Sequence, residues 1–147
     1  MKKLTIIGDA DGLIAFINPR DASNKQANKI LTFLEEHEAT LYFPTTTIAE
    51  TITALVRKHA SPPLARQIVE QCKAGSILFI PVDEVVITTA IGLYNPEGSK
   101  YNTFFDAIVA AVAKQTNADA IFSFDKWYNK QGFKITDDIL AERQPAI

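Results

Sequence analysis

The sequence holds one cysteine, Cys72, and two histidines, His37 and His59, in 147 residues. A single thiol excludes an internal disulfide and a thiolate zinc site, and it fits a reducing, cytoplasmic compartment. Two imidazoles are too few for a histidine-rich metal centre. Any metal must therefore be held by oxygen, which suits Mg²⁺ or Mn²⁺. Long apolar runs are also missing. The longest, residues 107–113, has seven residues, against the ~20 needed to cross a bilayer, so no membrane role is expected. The basic start at Met1 runs into Gly8, Asp9 and Asp11 instead of a continuous apolar stretch, which is not a secretory leader. Nor does one sign of charge prevail. The 15 Lys and Arg stand against 17 Asp and Glu, a formal net charge of −2. That argues against a chain held on nucleic acid or an anionic membrane by bulk charge, and leaves local charge to do any binding.

What is present is ordinary. Apolar residues make up 47% and charged residues 22%, the balance of a folded chain rather than a disordered one. The length predicts one domain over residues 1–147. No low-complexity stretch or internal repeat interrupts it.

Short apolar runs alternate with segments of helical period. Residues 4–7 are an apolar run stopped by Gly8-Asp9, which reads as a buried strand. Residues 13–17 read as a short helix ending at Asn18-Pro19, and 22–37 carry Ala27, Ile30, Leu31 and Leu34 at helical spacing. A second strand over 41–43 stops at Pro44, after which Thr45, Thr46 and Thr47 are N-cap candidates. Ile48, Ile52, Leu55 and Val56 mark the next helix. A helix over 64–73, a strand over 77–80 and a helix through Val85 and Ile91 follow. Then come a turn at 95–98, a helix through Phe105 and Val112, and a strand over 120–124. A short helix at 126–131 and a last strand at 133–136 complete the set. Strands alternating with helices predict a parallel sheet covered on both faces. In such folds ligands sit outside the carboxyl ends of the strands.

Four carboxylates fall at that edge. Asp9 directly follows the first strand, where it serves either a site or the cap of the next helix; Asp11 is the alternative cap. Glu50 lies in the first turns of the helix after strand two, where a favourable contact with the helix dipole is the plain reading. Asp106 stands in Phe104-Phe105-Asp106-Ala107-Ile108-Val109, and a charge amid that much apolar surface needs a partner or free helix amides. Asp125 closes the strand over 120–124, and Ser123, two residues earlier, points to the same side. Carboxylates so placed repel one another unless a cation neutralises them. The chemistry that fits is metal-assisted hydrolysis of a phosphate ester, with no protein nucleophile.

At this point the sequence resembles a PIN domain, the nuclease domain of VapC-type toxins, along nearly the whole chain. The resemblance rests on Ile7-Gly8-Asp9, on Thr47-Ile48-Ala49-Glu50, on Phe105-Asp106-Ala107-Ile108-Val109-Ala110-Ala111, and on Ile121-Phe122-Ser123-Phe124-Asp125. The last two segments and their 19-residue spacing are the most specific. The resemblance implies a three-layer α/β/α sandwich around a mostly parallel, five-stranded sheet. It implies a Mg²⁺- or Mn²⁺-dependent endoribonuclease that leaves 5′-phosphate and 3′-hydroxyl ends, commonly a homodimer blocked by an antitoxin. Asp9, Glu50, Asp106 and Asp125 match the metal-binding carboxylates, and Ser123 matches a supporting Ser or Thr. The family usually places Thr after the first Asp and then Ser or Asn; here those positions are Ala10 and Asp11. Asp11 is thus an extra carboxylate or a helix cap.

Two other readings compete. Asp9-Ala10-Asp11-Gly12 resembles the first motif of haloacid-dehalogenase-type phosphatases, with Asp9 as nucleophile and Asp137-Asp138 as the late acidic pair, although Leu13 stands where those enzymes have Thr. The third is a non-catalytic PIN-like domain that binds RNA or protein. Cys72 reads as packing, and His37 and His59 as contacts to helix ends. Trp127 and Tyr128 read as packing beside the last strand, with base stacking the alternative. Lys100, Lys126 and Lys130 are phosphate contacts or a solvated face. Seventeen acids less the four leaves 13 against 15 bases, so the charge balance does not exclude RNA.

Overall fold

Residues 2–143 are described by the structure, a computed structural model. Thr5–Gly8 (β1) sends Ile6 and Ile7 to opposite sides, as the two-residue period of a strand requires. Both are fully buried, and they belong to different apolar clusters. Ala120–Phe122 (β4) repeats the split, with Ile121 on the Ile7 side and Phe122 on the Ile6 side. A sheet buried on both faces follows, and the continuous apolar runs are its sequence signature.

The sheet has four strands in the order β3-β2-β1-β4, with β2 at Thr40–Pro44 and β3 at Leu78–Ile80. Every pairing is parallel, for example Ile7 with Tyr42 and Ile7 with Ile121. One side is covered by α1 (Ala10–Ile17), α2 (Asn24–Glu36), α3 (Thr45–Arg57), α4 (Pro62–Lys73) and α8 (Thr136–Arg143). The other is covered by α5 (Glu84–Leu93), α6 (Phe104–Gln115) and the one-turn α7 (Trp127–Lys130). The three-layer α/β/α arrangement is therefore present. Among the described residues no helix is long and apolar enough to cross a membrane.

Three expectations are corrected. The fifth strand over 133–136 is a single bridge, Ile135 with Ile121. Its run is cut because Asp138 Oδ2 accepts from the Ile135 amide at 2.8 Å and α8 begins at Thr136. The strand over 120–124 ends at Phe122 because the Phe124 amide turns out of the ladder to donate to Asp11 at 2.9 Å. The three threonines do not cap α3 through their side chains: Pro44 is its N-cap, Thr45 opens the helix, and Thr45 Oγ1 accepts from the Val82 amide instead.

Two close approaches place the acidic edge. A Cβ on Gly12 would meet the Phe122 carbonyl oxygen at 2.5 Å, so only glycine lets α1 lie against the end of β4. Phe43 likewise lies over Gly8, where any Cβ would overlap its ring. The first turn of α1 is thereby fixed beside the carboxyl ends of β1 and β4.

Candidate active site

Asp9 leaves the carboxyl end of β1 and caps α1, its Oδ1 accepting from the Ala10 amide at 2.7 Å. Its Oδ2 accepts from the Tyr128 hydroxyl at 2.6 Å. The cap and the site, alternatives in the sequence, are thus one residue with two engaged oxygens. Asp9 is 3% exposed. Burial is the main force raising its carboxyl well above the usual range. Asp11 and Asp106 push it further, and the Tyr128 hydrogen bond opposes them.

Asp106 is held by the start of α6, where the Thr103 amide donates to its Oδ2 at 2.9 Å in a reciprocal capping box. The rest of the helix from Ala107 to Ala113 is buried. Desolvation lifts Asp106 to about 6 against the Thr103 bond, with Asp125 and Asp11 adding repulsion. Glu50 projects from the second turn of α3. Its Oε1 is buried with no hydrogen-bond partner. Desolvation, then Asp106 and Asp11, raise its carboxyl to about 7. Asp125 follows β4. Its Oδ2 accepts from Asn102 at 2.8 Å and its Oδ1 from the Trp127 amide at 2.9 Å.

Of the two readings left open for Asp11, the helix cap is corrected, because Asp9 is the N-cap and Asp11 lies within the first turn of α1, and the extra carboxylate at the cleft remains. Its Oδ1 accepts from the Gly12 amide, and its Oδ2 accepts from both the Ser123 hydroxyl and the Phe124 amide at 2.9 Å. Ser123 in turn accepts from the Asp125 amide at 3.0 Å. A chain of bonds thus links α1 to the end of β4, and Asp11 also lines the site. Burial raises its carboxyl, and these three donors restrain the rise.

Asp9, Asp11, Glu50, Asp106 and Asp125 all line one open cleft of about 330 Å³ at the carboxyl edge of the sheet, with Lys58, His59 and Tyr101 at its rim. None of the five is in an ion pair among the described residues. As they stand, no three acidic side chains among the described residues meet at a common ligating point. The donor set still fits a hard divalent cation. It is all oxygen, it carries mutual repulsion that no ion pair among the described residues relieves, and Glu50 Oε1 lacks a partner.

Four contributors were not foreseen in the sequence. Tyr128 packs as expected, yet its hydroxyl reaches Asp9. Its signal is position: three residues after Asp125, on the turn that follows the edge strand. Asn102 has no sequence signal. Lys58 lies eight residues after Glu50, so both stand on one face of α3. His59 follows at the same rim rather than only closing the helix. His37, by contrast, does sit on a helix-end carbonyl, that of Phe33. Lys100 lies 5.8 Å from the Tyr101 ring centre. Asp137 and Asp138, the late acidic pair of the phosphatase reading, are bonded to Gln26, Asn129 and the Ile135 amide and do not line the cleft.

The fold recurs in known structures. VapC20 of Mycobacterium tuberculosis, a sarcin-ricin loop cleaving toxin, superposes with a TM-score of 0.73 at 19% identity, covering 87% of this chain and 95% of that one. FitAcB from Neisseria gonorrhoeae gives a TM-score of 0.60 at 19% identity, over 88% and 95%. No curated protein matches the sequence. The acidic edge, all of the four parallel strands but Thr5, and the helices from α1 to α7 fall within residues 6–134, which match the family model of the PIN domain, and the chain belongs to that family.

Proposed function

We propose that the chain is a single-domain, divalent-metal-dependent endoribonuclease and the toxin of a toxin–antitoxin pair. The observation that carries this reading is the convergence of five carboxylates on one cleft, none of them in an ion pair among the described residues. Membership of the PIN family and the VapC20 fold likeness support it. A homodimer, a cognate antitoxin and a cytoplasmic setting belong to the same reading.

Asp9, Glu50, Asp106 and Asp125 would hold Mg²⁺ or Mn²⁺ directly or through water. The ion would supply positive charge against the phosphodiester and lower the pKa of a water molecule. The chain's own residues do the positioning. Tyr128 fixes the Asp9 carboxylate, the Thr103 amide fixes Asp106, and Asn102 fixes Asp125. Ser123 ties Asp11, in the first turn of α1, to the Asp125 backbone beyond the end of β4. Lys58 at the rim attracts the phosphate chain over a floor that would otherwise repel it.

The test is incubation of end-labelled RNA with the full chain in Mn²⁺ and in chelator. Cleavage that needs the ion and leaves 5′-phosphate ends supports the reading. Cleavage that persists in chelator contradicts the metal role, and an acyl-phosphate trap with fluoroberyllate at Asp9 would restore the phosphatase.

A further inference from the structure

A second hollow adjoins the cleft. It has a volume of about 280 Å³ and is lined by Ala49, Glu50, Thr53, Ala54, Arg57 and Phe105. Glu50 and Ala54 line both, so the two lie side by side along α3. Spacing of four keeps residues 50, 54 and 58 on the face toward the carboxylates, and 49, 53 and 57 on the neighbouring face toward Phe105. The chemistry changes between the two faces. The cleft presents acids, whereas the hollow, apart from the shared Glu50, presents methyl groups, an aromatic ring and a guanidinium. Phe105 is 41% exposed beside the buried Asp106 and joins neither core cluster.

We propose that this hollow receives an unpaired nucleobase flanking the phosphate held over the carboxylates. The proposal rests on the ribonuclease reading. A base is flat and uncharged, so the neighbouring acids do not repel it. Phe105 offers it a π face and Arg57 a planar cation. Ala49, Thr53 and Ala54 are short enough to leave the depth open. Arg57 and Lys58, adjacent in the chain, stand at the hollow and at the cleft respectively, where they match phosphates on either side of the base. A base stacked in a duplex cannot enter the hollow, so the base it takes must be unpaired.

The test uses the full chain in Mn²⁺ and a short RNA single strand, with one abasic position moved along it. At one position beside the cut, the abasic strand loses about tenfold in kcat/KM, the effect of one lost base stack. Phe105→Ala loses about the same on the intact strand and shows no further loss on the abasic one; Phe105→Trp restores the abasic penalty. An equal abasic penalty in the wild type and in Phe105→Ala overturns the proposal. Sedimentation covers the competing occupant: a dimer that Phe105→Ala splits assigns the hollow to a second copy and also overturns it. If the wild type cuts no RNA, the ribonuclease reading fails by itself. The hollow is then read by 2-aminopurine fluorescence of a bound single strand. Quenching in the wild type but not in Phe105→Ala upholds the base site, and no quenching in either overturns it.

Discussion

The Tyr128 hydroxyl donates a 2.6 Å hydrogen bond to Asp9 Oδ2, joining the turn after the last strand to the end of the first. Tyr128 is wholly buried, and Asp9 is nearly so. The bond keeps one carboxylate oxygen oriented while the other caps α1. Tyr128→Phe preserves the ring packing and leaves Asp9 Oδ2 short of a donor. Urea denaturation is expected to show a loss of about 1–3 kcal/mol, the cost of an unsatisfied buried acceptor. Apparent Mn²⁺ affinity is expected to fall about 10–100-fold by calorimetry, as when a partner of a metal-binding group is removed. Unchanged affinity would contradict a positioning role for Tyr128.

Ser123 is the relay between Asp11 and Asp125. It donates to Asp11 Oδ2 and accepts from the Asp125 amide. Ser123→Ala removes both bonds from a fully buried position. Denaturation is expected to show a loss of about 1–3 kcal/mol, with RNA cleavage reduced because Asp125 is less well placed. A variant as stable and as active as the wild type would show that the relay is incidental.

The raised carboxyls make a signed prediction about pH. Glu50 sits at about 7 and Asp106 at about 6, each above its ordinary value. A carboxyl raised by folding favours the folded state while protonated, and that contribution is lost as pH climbs through the folded value. The metal-free protein should therefore lose Tm as pH rises from about 5.5 to about 8, a window in which ordinary carboxyls are already ionised. Glu50→Gln should flatten the slope. Mn²⁺ should restore Tm at the upper end, and its binding should release protons at the lower end. A flat wild-type profile, or an unchanged slope in Glu50→Gln, would contradict the assignment.

The layered fold was legible because parallel strands covered on both faces read as short apolar runs, and Ile6-Ile7 and Ile121-Phe122 are such runs. The acidic edge was legible for a related reason: Asp9, Asp106 and Asp125 stand where apolar elements start or stop. Single bonds were not legible. Residues 133–136 have strand composition, yet one Asp138 contact turns them into a helix start after a single bridge. Tyr128 reads as packing because a tyrosine's ring explains its burial whether or not its hydroxyl meets a carboxylate. Asp11 could not be resolved between cap and ligand, because both donors to its Oδ2 lie more than a hundred residues away in sequence.

The most direct measurement compares metal-dependent RNA cleavage by the wild type and by Asp106→Asn. The asparagine carbonyl can still accept from the Thr103 amide, so the capping box and the fold should survive, with an unchanged circular dichroism spectrum. One negative charge leaves the cleft. The expected result is Mn²⁺-dependent cleavage by the wild type and none by Asp106→Asn. Full metal-dependent cleavage by a correctly folded Asp106→Asn would contradict it.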